Sequence, residues 1–302
     1  MIIGLPVLAP TLRDAHSLSL VQVGVLLDSL WVGTLLTLLP WGVLADRVGE
    51  RLVLASGLLL CAAALVGAGS AERFGRLILF VGLAGAAGAS VNAASGRAVM
   101  QWFPATERGF ALGVRQTAIP IGGLISALVL PALSLRGAFV FLAGLCVAGA
   151  LFGIVVIRER EGAAEDDVLE PRGLGATLRD HQLWLLCGAS SFYLVAQLAI
   201  TGFLVLFLHD ERGLSDAAAA GVLAGGISMA WNGLSFTAAA EIAGRTRSGA
   251  ALGMQQSALA AAGALVPPAF AAVVAASSWR LGFAAAAAFP LAGVALLRPL
   301  RS

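Results

Sequence analysis

Apolar runs of about twenty residues recur along the 302-residue chain, and the short joints between them collect nearly all of its charge. The runs cover about Leu20–Trp41, Leu52–Gly69, Leu77–Trp102, Gly109–Leu133, Gly137–Ile157, His181–Leu208, Ala217–Ile242, Gly249–Val274 and Arg280–Leu297. A helix of roughly 20 residues crosses the ~30 Å hydrocarbon layer of a bilayer. None of these runs shows the polar face at helical period that a water-soluble bundle requires. Met1–Leu12 is also apolar, but at 1.5 Å per residue it reaches only about 18 Å. It reads as the tail of a first helix, followed by a loop holding Arg13, Asp14 and His16. The predicted fold is all-α, a polytopic helical membrane protein with about nine full spans and one partial one.

Composition sharpens this picture. Charged residues make up 12% of the chain, against roughly 25% in a globular domain, and Ala and Gly fill the apolar runs, as close helix packing in lipid demands. All 19 basic residues are Arg and the net charge is +2, with no basic patch carrying interleaved aromatics, so no nucleic-acid partner is indicated. Cys61, Cys146 and Cys187 lie inside apolar runs without a C-x-x-C or His neighbour and read as buried thiols. The start Met-Ile-Ile-Gly-Leu-Pro lacks the pattern of a cleavable signal. No catalytic triad, metal cluster or phosphate loop stands out, so neither an enzyme nor a cofactor is expected.

Residues 158–180 form the one extended polar segment and read as a cytoplasmic linker between an N-terminal half, 1–157, and an incomplete C-terminal half, 181–302. The halves repeat one another. Arg108-Gly-Phe-Ala-Leu-Gly-Val-Arg-Gln-Thr-Ala118 aligns with Ser248-Gly-Ala-Ala-Leu-Gly-Met-Gln-Gln-Ser-Ala258 at six of eleven positions, an offset of 140 from Gly109 to Gly249. The same offset pairs Asn92 with Asn232, and Ser134-Leu-Arg-Gly-Ala-Phe139 recurs as Ser278-Trp-Arg-Leu-Gly-Phe283. Nearer the start the offset is 197, from Gly24 to Gly221. The 57-residue difference equals about two spans at roughly 25 residues each with its joint. The second half therefore jumps, near Gly221–Gly225, from its second helix into its fourth.

Between the second and third helices stands Gly42-Val-Leu-Ala-Asp46-Arg47-Val-Gly49-Glu-Arg51, read as a tight loop at the membrane surface with Gly42 allowing close helix approach. This G-x-L-A-D-R-x-G-x-R pattern resembles the signature loop of the major facilitator superfamily, and the resemblance extends over nearly the whole chain. It implies two bundles that rock about a central cavity, the alternating-access mechanism of secondary active transport. It also implies that the gating motif Gly42, Asp46, Arg47, Gly49 and Arg51 packs on the start of a late helix, here Ser248–Gly253. The family has twelve spans, so most of helix one and about two helices of the second half are missing. Counting Arg in the joints places eleven on the motif side and six opposite, which puts the motif in the cytoplasm of a cell or inner membrane.

The run Asn92-Ala-Ala-Ser-Gly-Arg97, Trp102-Phe-Pro, Arg108-Gly and Pro120-x-Gly-Gly is similar to the branch of this superfamily handling small or organic anions. Asp28, Arg97 and Arg115 are the ionisable residues well inside spans, where charge is expensive and faces a cavity. Arg97 and Arg115 fall at similar depth on antiparallel neighbours, able to hold an anion bidentately; the alternative is that they snorkel or tie helix ends. Asp28 is either a proton-coupling acid or a packing carboxyl bonded to a nearby Ser or Thr. Tyr193, Gln197 and Thr201 share one helix face at i, i+4 and i+8 and either line the cavity or bond between helices. Asn92 and Asn232 are duplicated and so serve geometry as readily as substrate. Gly109/Gly113 and Gly249/Gly253 read as packing faces, and Trp41, Trp102 and Trp184 as belt residues. The expected partners are a small-molecule substrate, with or without protons, and the lipid bilayer. The alternatives are a multidrug or metabolite exporter of the same superfamily, or a remnant unable to transport.

Overall fold

The computed structural model describes residues 3–104, 107–157, 171–212, 231–243 and 248–301. Helices α1 (Gly4–Val7) and α2 (Ala9–His16) run nearly end to end, followed by α3 (Leu20–Val48), α4 (Glu50–Gly69), α5 (Phe74–Trp102), α6 (Arg108–Val129) and α7 (Leu135–Val156). A short α8 (Pro171–Arg179) precedes α9 (His181–Arg212), α10 (Trp231–Ala243), α11 (Ser248–Ala276) and α12 (Trp279–Leu297). Eight helices, α3 to α7 with α9, α11 and α12, are long and apolar enough to cross a membrane. They are eight of the nine predicted spans. The ninth is described only from Trp231 onward, and the offset jump at Gly221–Gly225 lies outside the described residues.

Local chemistry explains where these helices begin. Ser19 and Gln22 form a reciprocal capping box at the start of α3. Ser134 accepts from the Gly137 N–H and Ser278 from the Leu281 N–H. The repeated S-x-R motif is thus a duplicated N-cap, with its Phe139 fully buried.

Four boundaries differ from expectation. The Gly42–Arg51 stretch is helix through Val48, and the turn narrows to Gly49, whose φ of 87° suits glycine. Nothing between Trp41 and Val48 breaks a helix, so the polar residues merely cap a long one. Arg13, Asp14 and His16 belong to α2 rather than to a loop. Helix α9 continues past Leu208 to Arg212, and the described end of the linker is α8.

Close approach also occurs elsewhere than expected. A Cβ on Gly42, Gly113 or Gly253 would meet nothing within 4 Å, so these are not the packing contacts. Instead Gly33 and Gly85 bring α3 and α5 together, where a Cβ would strike the carbonyl oxygens of Gly82 and Leu30 respectively. Along the same seam Thr34 donates to the Gly85 carbonyl at 3.2 Å, and Thr37 and Trp41 both donate to the Ala86 carbonyl at 2.7 Å. Trp41 is therefore an interhelical bond rather than a belt residue. Small residues and hydroxyl-to-carbonyl bonds are how helices associate where lipid removes the hydrophobic drive. Cys61 and Cys146 meet across α4 and α7 at 3.8 Å between sulfurs, without a disulfide.

The buried core is asymmetric along the helices. At the end away from Gly49 one cluster runs through both halves, from Leu5, Leu12 and Leu26 through Phe139 to Phe203, Phe270 and Trp279. There an ion pair joins Arg13 of α2 to Asp210 of α9. At the Gly49 end the described core separates, with Ala45, Val53, Leu54 and Ala94 in one half and Leu183, Leu186, Ala239 and Ala251 in the other. The outer faces carry Leu36, Leu128, Phe152, Val155 and Leu291 in the open, an apolar surface that only lipid covers well.

Candidate functional site

Arg115 lies two turns into α6 and reaches across to α5. Its Nε donates to Ser95 Oγ at 2.8 Å, one Nη to Asn92 Oδ1 at 3.0 Å and the other to Gln116 Oε1 at 3.3 Å. Ser95 passes its own hydrogen on to the Val91 carbonyl. A guanidinium has five N–H donors, so two remain after these bonds. Among the described residues no carboxylate pairs with it. The charge is thus held in place by neutral oxygens and left electrically uncompensated. The side chain of Arg97 lies outside the described set, so its expected partnership with Arg115 does too.

The second half builds the neutral version of the same arrangement. Ser235 stands 140 residues after Ser95 and Gln255 140 after Arg115. Gln255 donates to Ser235 Oγ and, at 3.1 Å, to Ser190 Oγ of α9, while the two hydroxyls bond each other at 2.6 Å. Gln255 is fully buried. Sequence reasoning overlooked Ser95, Ser235 and Ser190, although the 140-residue offset already paired the first two. Replacing Gln255 by Leu leaves the Ser190–Ser235 bond intact and removes a buried amide whose Oε1 has no partner. The expected loss is small, about 1 kcal/mol or less, read as a slight shift in thermal unfolding in detergent; a loss of several kcal/mol would show the amide to be a structural keystone.

The predicted stripe on α9 faces α10. Gln197 is buried and its Oε1 accepts from Trp231 Nε1 at 2.9 Å and Asn232 Nδ2 at 3.4 Å. Tyr193 stacks on Trp231 with ring centroids 5.8 Å apart. Thr201 bonds the Gln197 carbonyl of its own helix. Gln197 and Asn232 are therefore joined to each other across two helices, while Asn92 is joined to Arg115. Trp231 is the member of this group that the periodicity did not single out.

Asp28 has no Ser or Thr partner, and its Oδ1 is buried without a hydrogen bond. Of the gating residues, Arg47 and Arg51 are exposed and Gly49 makes the turn; the side chain of Asp46 lies outside the described set. Helices α3 and α11 run antiparallel, Gly24 against Ala271 and Trp31 against Gly263. Extended along both helices, that register sets Asp46 level with Ser248.

Comparison with known proteins agrees with this architecture. The Major Facilitator Superfamily profile matches residues 2–236. An uncharacterized MFS-type transporter of Mycobacterium tuberculosis, Rv2994, is 31% identical over 369 aligned positions, covering 99% of this chain and 81% of that one. Those 369 positions against 302 residues leave at least 67 at which the relative has residues this chain lacks. The hexuronate transporter of Bacillus subtilis is 27% identical over 70% of this chain and 53% of its own length. In three dimensions the chain superposes on a bacterial homologue of the human lysosomal transporter Spinster, in its inward-facing and occupied conformation. The TM-score is 0.76, at 15% identity, over 98% of this chain and 92% of that one. The multi-pass helical chain, with its two related halves and its G-x-L-A-D-R-x-G-x-R turn, belongs to the Major Facilitator Superfamily.

Proposed function

We propose that this protein is a secondary transporter that moves a small organic anion by alternating access, with Arg115 as the group that engages the anion. The observation that carries this reading is the uncompensated guanidinium inside a span, fixed by Asn92, Ser95 and Gln116 with two donors to spare. A charge at membrane depth without a counter-ion is costly even when half-buried, and an anionic substrate offsets that cost only while bound. Two relatives are named for sugar acids, the hexuronate transporter of Bacillus subtilis and a probable L-galactonate transporter of Escherichia coli. Arg97, five residues after Asn92 on α5, is a second candidate for the same anion, and Tyr193, Gln197, Thr201 and Asn232 are candidates to line the same cavity.

The continuous core and the Arg13–Asp210 pair close the end away from Gly49. With the Gly42–Arg51 motif in the cytoplasm, this is an inward-opening state of a cytoplasmic-membrane protein. The residues that Rv2994 has and this chain lacks favour a second reading, a remnant that binds but does not transport. Proteoliposome uptake of labelled hexuronates and other sugar acids, with neutral sugars alongside, tests both. Accumulation of an anion that Arg115→Ala abolishes is the expected result. Uptake indifferent to Arg115 overturns the anion assignment, and binding without uptake establishes the remnant.

A further inference from the structure

The packing of α4 on α7 sets Cys61 opposite Cys146. The two helices run antiparallel, with Leu58 against Gly149 and Leu54 against Gly153, where leucine methyls lie 3.4 and 2.7 Å from a built Cβ. Each step along one helix is therefore a step back along the other. Three residues after Leu58 and three before Gly149, the same register brings Cys61 to Cys146. It continues to the far end of the seam, where the Phe139 Cβ would stand 2.9 Å from a Cβ on Gly69. Glycines on both helices let the backbones approach, and the Cys146 thiol donates to the Cys61 sulfur at 3.8 Å.

The two sulfurs differ in access. Cys61 is 1% exposed and belongs to the buried core. Cys146 is half-buried, between Leu145 and Val147, which stand 45% and 37% exposed. With Leu151, Phe152 and Val155 these residues make the outer face of α7, an apolar surface that faces acyl chains. Both cysteines lie near the middle of their helices, Glu50–Gly69 and Leu135–Val156, and so at the depth of the hydrocarbon. A reagent dissolved in lipid meets Cys146 first and reaches Cys61 only through it. Cys187 of α9, buried in the other half, is a third thiol outside this pair.

We propose that Cys146 and Cys61 are a reactive pair for lipid hydroperoxides, with Cys146 the thiol attacked first and Cys61 the thiol that resolves it. The Cys146 sulfur takes the terminal oxygen of the hydroperoxide. The O–O bond breaks, the acyl chain leaves as an alcohol carrying the thiol's proton, and Cys146 becomes a sulfenic acid. The Cys61 sulfur then displaces the hydroxyl. The S–O bond breaks, the S–S bond forms, and the hydroxyl takes the Cys61 proton and departs as water. Two electrons pass from the thiols to the peroxide, and reactants and products are neutral, so neither step leaves a charge at membrane depth. A resolving thiol in contact also stops Cys146 short of irreversible sulfinic acid. The bond closes a loop of 85 residues inside the first half, which stabilises that half without bridging the two halves. The pair is independent of the substrate and of Arg115.

The test uses the whole chain in nanodiscs, treated with cumene hydroperoxide, an apolar organic peroxide, or with hydrogen peroxide, a water-borne one. Peptide mass spectrometry after alkylation reads each thiol. Cumene hydroperoxide is expected to join Cys61 to Cys146 while Cys187 stays reduced, and to do so at least tenfold faster than an equal concentration of hydrogen peroxide. Cys61→Ser is expected to leave Cys146 as a sulfenic acid that dimedone traps, whereas in Cys146→Ser the Cys61 thiol stays reduced. Oxidised wild-type protein is expected to melt several degrees higher than the reduced form, and a reductant to reverse the shift. The wild-type chain decides the matter even where a serine variant fails to fold. No Cys61–Cys146 disulfide in it, or one that hydrogen peroxide forms as fast, overturns the proposal. Trapping of Cys61 rather than Cys146 as the sulfenic acid overturns the assigned order. Loss of uptake in the proteoliposome assay bears on none of these readouts, so the two proposals fail separately.

Discussion

Gly85→Val in α5 is expected to prevent stable folding, whereas Gly113→Ala in α6 leaves the protein as stable as before or slightly more so. The Gly85 position has the Leu30 carbonyl against it, and a backbone oxygen cannot rotate away as a side chain can. A branched side chain there separates α3 from α5 and strains the bonds from Thr34, Thr37 and Trp41 that run along the same seam. Overpacking of a well-filled interior costs about 1–3 kcal/mol, and losing the neighbouring bonds adds to it. Gly113 has no atom within 4 Å of a built Cβ, so alanine there gains roughly 0.5–1 kcal/mol of helix propensity. Fluorescence-detected size-exclusion after a heating series, run on both variants in detergent, reads the contrast. Equal melting of the two would mean that the α3–α5 seam does not govern stability.

Arg115→Gln is the second large effect. It places in the first half the residue that the second half has at Gln255, so the helix pair keeps a donor for Ser95 and the fold survives. What goes is the charge. Truncating one member of a charge-assisted contact costs about 2–5 kcal/mol, which corresponds to a fall of about thirtyfold or more in transport efficiency for an anion. Arg115→Lys retains the charge but has a single ammonium, which cannot fill the sites at Ser95 and Asn92 in the fixed fork geometry of a guanidinium. An intermediate loss is expected, carried mainly by KM. Initial rates over a range of anion concentrations separate the cases, and a Gln variant with wild-type KM and rate would remove Arg115 from the substrate site.

The spans, their order and the kinship of the two halves were legible in the chain because each is written locally. Runs of twenty apolar residues need no partner to be recognised, and Arg108–Ala118 against Ser248–Ala258 is a comparison of one segment with another. Arg115 was legible for a related reason, since charge inside a span stands out against its own helix. Asn92 and Asn232 were found through the repeat. Ser95 and Ser235 were available by the same offset but drew no notice, because a serine in an apolar run is common and usually bonds its own backbone. The length of α3 was misjudged at Gly42, where glycine and charge suggested a break that the backbone makes only at Gly49.

The glycine contacts show most clearly what lies outside such local reading. Gly109/Gly113 and Gly249/Gly253 have the spacing of a packing motif, yet Gly113 and Gly253 face open space, while Gly33, Gly85 and Gly24 bear against backbone. Which glycine is pressed depends on how far each helix is rotated and where it crosses its neighbour, and no single segment encodes that.

The sequence by itself determined that this is a multi-pass helical protein of two related halves, with one arginine in the place where its partner half has glutamine. Hydropathy, length and repetition are properties of the chain alone. Only the tertiary structure decided that Arg115 is held by neutral oxygens, that Gln197 bonds α10, and that the core is continuous at one end and divided at the other. Those are distances between segments far apart in the chain, and they come into being when helices choose their neighbours.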